Sequence, residues 1–200
     1  MKKKNTIPHF LSHLPTWGEY PVPFVQMFID GKPDFRITDH DKVIECVEKK
    51  LCAICGKALL DYVWFIGGEL PVRYRLFTDP PMHQLCAEYV AVICPYVSGK
   101  SRHYSERELK CEHHKFTSMD DSAVRMFMLR AERDATGFVL YNGEMLIQAG
   151  EWEEVKELMC VLNGKAIWRS YEKQGETWKF AEKKGGDVCA STPTRFSCPR

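Results

Sequence analysis

Two hundred residues (23.2 kDa) suit one domain, or one domain with a small appended unit, and 44% hydrophobic with 12% aromatic residues is enough to bury a sizeable core. Lys+Arg (28) and Asp+Glu (27) nearly cancel, leaving a formal charge of +1, so no global field draws the chain to nucleic acid or to an acidic membrane surface. No stretch approaches the ~18 apolar residues of a membrane-spanning helix, and the start Met1-Lys-Lys-Lys-Asn5 lacks the apolar run of a signal peptide; the nine cysteines are therefore read in a reducing cytoplasm, as metal ligands and buried thiols rather than disulfides.

Residues 1–16 read as a flexible lead-in with a solvated Lys2–Lys4 run. From Trp17 the text becomes structured. Tyr20–Ile29, rich in β-branched and aromatic residues but holding Pro21 and Pro23, predicts an edge strand. Asp30-Gly31 predicts a hairpin turn and Lys32–Thr38 the returning strand. Val43, Ile44 and Val47 then mark a short amphipathic helix over Asp41–Lys50, with His40 and its flanking aspartates as cap chemistry.

Tyr62–Ile66 and Val72–Phe77 read as two strands joined through Gly67-Gly68, with Arg73 and Arg75 on one face and Tyr74 buried on the other. Thr78-Asp-Pro-Pro81 is non-helical, and Met82–Ile93 predicts a helix that Cys94-Pro95 ends. Gly99–Lys115 is polar and basic. Ser118–Asp134 predicts a helix through Val124, Phe127, Met128 and Ala131, and Asn142-Gly143 a type I′ hairpin over Phe138–Ile147. Glu151–Leu162 and Lys165–Gln174 read as a helix pair separated by Asn163-Gly164, and residues 184–200 as a disordered tail. The expected fold is α+β: a single domain over 17–183 with an N-terminal β-hairpin, an embedded zinc segment at 51–96, and a C-terminal hairpin plus helix pair.

The chemistry concentrates in that segment. Cys52-x2-Cys55 and His83-x2-Cys86 are two pairs of soft donors, the types and spacing of a tetrahedral zinc site. Gly56 permits the turn that aims the first two thiolates, and the second pair opens a helix. Turn, hairpin, then helix resembles a treble-clef zinc finger. Three thiolates and an imidazole complete the coordination sphere, whereas catalytic zinc keeps a position open for water, so the single Zn2+ is expected to be structural. Cys94 is a weaker substitute ligand, and His103, Cys111, His113 and His114 are a softer hint of a second site, set against a solvent-facing basic loop. The absence of histidine from Tyr62–Phe77 disfavours an HNH-type nuclease, and no thioredoxin-like setting surrounds the Cys52/Cys55 pair.

Pro21-Val-Pro-Phe24, Asp30-Gly-Lys-Pro-Asp-Phe-Arg36, Leu51-Cys-Ala-Ile-Cys-Gly56, Pro80-Pro-Met-His-Gln-Leu-Cys-Ala87 and Cys94-Pro95 occur in order along the chain. In these motifs it resembles a family of bacterial and phage zinc-binding proteins of unassigned activity. The resemblance implies zinc and a cytoplasmic, phage-encoded origin, and brings no activity.

The expectation is therefore a non-enzymatic, zinc-stabilised interaction protein, a phage accessory factor that binds and modulates a host protein such as a defence component. The alternative is a nucleic-acid-binding module using Arg73, Arg75, Lys100, Arg102, Arg107 and Lys110. An enzyme of unrecognised type stays open.

Overall fold

The computed structural model describes residues 7–99, 125–175 and 177–180. After a 3-10 turn at His9–Leu11 come strands β1 (Thr16–Trp17), β2 (Tyr20–Pro21), β3 (Gln26–Ile29) and β4 (Lys32–Thr38), then helix α1 (His40–Glu48). The central part holds β5 (Tyr62–Gly67), α2 (Glu69–Tyr74), β6 (Leu76–Phe77) and α3 (Gln84–Ile93). The rest is strand: β7 (Phe127–Glu132), β8 (Gly137–Tyr141), β9 (Glu144–Gln148), β10 (Trp152–Leu162), β11 (Lys165–Gln174) and β12 (Thr177–Phe180). The chain is a mixed α+β protein, mostly strands with three helices among the described residues.

Three Asx-Gly pairs set the hairpins. Asp30-Gly31, Asn142-Gly143 and Asn163-Gly164 all have positive φ at both residues, the type I′ geometry whose twist matches antiparallel strands. They join β3 to β4, β8 to β9 and β10 to β11, with Ile29↔Lys32, Tyr141↔Glu144 and Leu162↔Lys165 as the closing pairs. The first two hairpins are as expected. The third is a correction: the predicted helix pair over 151–174 is one long β-hairpin. Two bulges explain the misreading. Register shifts between Trp152 and Glu154, and between Leu158 and Cys160, place Trp152 with Val155 on one face and Leu158 with Val161 on the other, three residues apart as in a helix.

The main sheet is antiparallel, in the order β12-β11-β10-β7-β5. The segment expected to be helical through Phe127–Ala131 is the interior strand β7, paired with β10 on one side and β5 on the other; residues 118–124 lie outside the described residues. Phe127, Met128, Leu129 and Ala131 are all buried, because an interior strand covered on both faces needs a continuous apolar run. Phe65, Leu129 and Val155 are register partners on one face, where Phe65 and Phe77 stack (ring centroids 4.4 Å apart), Trp152 meets both edge-on (6.2 and 5.9 Å) and the small sheet β6-β9-β8 closes over them. On the opposite face α3 packs against β5, β10 and β11, and Ala91 joins Ile66, Leu158 and Trp168 in one cluster.

Two further expectations are corrected. Val72–Phe77 is not a strand. Glu69–Tyr74 is helical, its Pro71 sitting in the first turn, where the missing N–H has no partner to lose. The Trp152 indole N–H holds the helix by donating to the Val72 carbonyl (2.8 Å). Arg75 at φ +57° ends it, and Tyr74, expected inside, is 51% exposed. The hairpin expected between the two ligand pairs therefore does not form; β5 pairs with β7, and β6 with β9. At the other end, the span expected to be a lead-in is described from residue 7, and its Leu11 is fully buried in the main core with Phe10 and Leu14 against it. Asp39 caps α1, accepting from the Asp41 and Lys42 N–H groups.

Candidate metal centre

Cys52 and Cys55 lie in a knuckle tied down by backbone hydrogen bonds. Leu51 and Ala58 bridge its ends, Cys52 N–H donates to the Lys57 carbonyl (2.8 Å), and Gly56 N–H returns to the Cys52 carbonyl (2.9 Å). Gly56 has φ +68°, and a Cβ there would sit 2.7 Å from the Phe24 ring, so both conformation and space require glycine. The outer side of the knuckle is held by Phe24 and Val25, whose N–H groups donate to Ile54 and Ala53. On the inner side Ala53 N–H donates to the Pro81 carbonyl (3.0 Å), and Trp64 and Met82 exchange backbone hydrogen bonds (2.9 Å each). These bonds bring the chain carrying the second ligand pair alongside the first.

His83 is the N-cap of α3 and Cys86 lies in its first turn; the helix starts at Gln84, two residues later than expected. The four donor atoms of Cys52, Cys55, His83 and Cys86 all lie within 4.8 Å of one another. Cys55 Sγ is 3.3 Å from His83 Nδ1. A tetrahedron of metal–ligand bonds about 2.0–2.3 Å long has edges of about 3.3–3.8 Å, so the side chains are gathered on the scale of one metal ion. The group could hold one.

The imidazole is already oriented. His83 Nε2 lies 3.0 Å from the Ala58 carbonyl, which only accepts, so Nε2 carries the proton and Nδ1 presents its lone pair to the thiols. His83 N–H lies 3.4 Å from Cys52 Sγ. Hydrogen bonds from the Cys55 and Cys86 thiols, with backbone N–H groups of Cys55 and His83 behind them, hold Cys52 down to about 3 against the opposing effect of burial. Cys86 is pushed up, because it donates to the two neighbouring sulfurs in a buried setting. Three buried thiols this close cannot all ionise without a cation among them, which is the chemistry of a metal-binding set.

Other expected residues fall elsewhere. Cys94 caps the C-terminus of α3 and is not part of the group. Cys46 is fully buried, and burial pushes its thiol up to about 12, which makes it an inert core residue. Arg73 and Arg75 do not share a strand face: Arg73 lies on α2 with its guanidinium 5.4 Å from the Tyr74 ring, and Arg75 is the left-handed residue that ends the helix. Lys100, Arg102, His103, Arg107, Lys110, Cys111, His113 and His114 lie outside the described residues.

Sequence reasoning missed two features. His13 donates through Nε2 to the Cys55 carbonyl (2.9 Å), bracing the knuckle from the supposed lead-in. Glu157 is a buried carboxylate that accepts from Arg125 Nε and from the Tyr171 hydroxyl, each at 2.7 Å, while Arg125 also reaches Glu69 (2.8 Å). A lone glutamate on an alternating strand carries no mark of this, because its partners come from other elements. Among the described residues no helix is long and apolar enough to cross a membrane. No family model, no curated protein and no solved structure matches the chain.

Proposed function

We propose that this is a non-enzymatic interaction protein pinned by one structural Zn2+ on Cys52, Cys55, His83 and Cys86. The supporting observation is the convergence of four N/S donors within 4.8 Å, three of them buried cysteines, with the histidine tautomer already selected by Ala58. Four protein donors fill a tetrahedral zinc and leave no position for a reacting water. Sulfur-rich tetrahedral sets favour zinc over the harder Mg2+ and Ca2+. The knuckle and the α3 N-terminus supply the ligands in the manner of a treble clef, with the Trp64–Met82 bridge standing where a hairpin was expected.

The working partner is a protein of the host cell, met in a reducing cytoplasm by a phage-encoded factor. Exposed aromatic residues such as Trp17, Phe28 and Phe35 support a protein-binding surface, since such side chains are enriched at interfaces. Metal analysis of protein purified without added zinc is expected to give about one zinc per chain, and well-folded protein with none defeats the zinc assignment. Affinity capture from host lysate with mass spectrometry is expected to recover a specific protein. Recovery of nucleic acid with steep salt dependence instead supports a nucleic-acid module.

A further inference from the structure

β8 is an open edge. It is the terminal strand of the sheet β6-β9-β8, and no backbone hydrogen bond among the described residues reaches its outer side. The two-residue turn at Asn142-Gly143 makes Tyr141 and Glu144 a hydrogen-bonded pair, so Tyr141, Val139 and Gly137 direct their backbone groups to β9. Those of Phe138 and Leu140 point outward. The strand, Gly-Phe-Val-Leu-Tyr, carries no charge and no proline, and its pairing with β9 has no bulge; these are the devices that ordinarily protect an edge. α1 packs nearby, yet Leu140 remains 75% exposed, with Phe138 (36%) and Met145 (42%) on the same face.

We propose that the outer edge of β8 is a homodimer interface, at which a second copy of this chain adds its own β8 antiparallel about a two-fold axis through Val139. The strand is self-complementary in that register. Phe138 of each copy faces Leu140 of the other and exchanges both backbone bonds with it, so every outward group is used, and Val139 meets itself in the close, non-bonded pair. Bulky Tyr141 falls opposite Gly137. Leu140 and Met145 of one copy continue into Phe138 of the other as one apolar stripe. A two-fold contact sets each charge near its own copy, and an uncharged strand avoids that repulsion. The flanks are complementary: the register brings the Asn142-Gly143 turn, with Glu144 just past it, to Thr136 of the second copy, whose carbonyl holds the Lys50 ammonium (3.1 Å). This inference is independent of the metal.

Sedimentation of the full chain over a concentration series tests it. The expected result is a reversible shift from 23.2 kDa to twice that mass. Leu140→Lys, an exposed substitution whose outward N–H serves no bond among the described residues, is expected to raise the dissociation constant at least about tenfold with unchanged circular dichroism. Val139→Cys is expected to form a 139–139 disulfide on mild oxidation, as the close pair is within disulfide reach. Should Leu140→Lys fail to fold, the charge pair decides: Glu144→Lys or Lys50→Glu alone weakens the dimer and the two together restore it. A chain still monomeric at about 1 mM overturns the proposal. So does a dimer that none of these changes weakens, or a monomer that instead takes up an unrelated extended peptide at β8.

Discussion

The Nε2–H of His83 is committed to the carbonyl oxygen of Ala58, 3.0 Å away, and this one hydrogen bond leaves the Nδ1 lone pair facing the Cys55 sulfur, 3.3 Å away. Ala58 closes the knuckle through its bridge to Leu51, so the element that presents Cys52 and Cys55 also aims the third donor. The metal set is thus one mechanical unit, and its parts are expected to fail together.

Cys86→Ala is expected to bring zinc per chain close to zero and to unfold or aggregate the protein, because structural zinc contributes on the order of 10 kcal/mol in small domains. His83→Cys keeps four soft donors and is expected to retain near-stoichiometric metal. Elemental analysis with thermal unfolding of both variants checks this; retention of metal and stability by Cys86→Ala counts against the site.

Gly56→Ala places a methyl group 2.7 Å from the Phe24 ring at φ +68°. Its expected cost is about 1–3 kcal/mol, the combined effect of a left-handed non-glycine residue and a crowded ring, with faster zinc loss to a chelator. Gly99, also at positive φ but with open space around it, serves as the control and is expected to show no faster zinc loss when changed to alanine.

Glu157→Gln removes a carboxylate that is 4% exposed and accepts from both Arg125 and Tyr171. Since Arg125 itself is 41% exposed, the expected destabilisation is that of a charged hydrogen bond, about 1.5–3 kcal/mol, rather than that of a fully buried pair. Urea unfolding of the wild type and Glu157→Gln measures it, and a change below about 0.5 kcal/mol argues that the cluster is not a clamp.

The same carboxylate predicts a pH dependence. Burial works against its charge, but hydrogen bonds from Arg125 and Tyr171 outweigh burial and hold Glu157 below the usual glutamate range. A folded value below the unfolded one means the native state binds fewer protons, so the stabilisation is present above the unfolded value of about 4.3 and is lost as pH falls through the lower, folded one. The gap in stability between wild type and Glu157→Gln is therefore expected to be constant near neutrality and to close below about pH 4. A gap that persists in acid rules this out.

Local chemistry was legible in the chain, and that covers the convergence of the four candidate metal donors and two of the hairpins. Cys52-x2-Cys55-Gly56 and His83-x2-Cys86 announce donors because a turn and a helix start fix their spacing within a few residues. Asp30-Gly31 and Asn142-Gly143 announce type I′ turns because few other pairs tolerate positive φ twice. Asn163-Gly164 carries the same signal, but the spacing of Trp152, Val155 and Leu158 outvoted it. One bulge puts Trp152 and Val155 three apart on one face and a second puts Leu158 and Val161 three apart on the other, and whether a spacing of three means helix or bulged strand depends on the partner strand.

By itself, then, the sequence determined an α+β chain, the four side chains that converge as a possible metal site, and the places where the chain must turn. Only the tertiary structure decided that β5 pairs with β7 rather than with the segment after Gly67-Gly68, that 152–174 is sheet, and that Glu157 is buried on Arg125. The physical reason is common to all three. A turn or a ligand pair is specified by the φ and spacing of adjacent residues. Strand partners and buried ion pairs are specified by apolar faces and charges far apart in the chain, whose pairing is settled only when the core closes around Phe65, Leu129 and Val155.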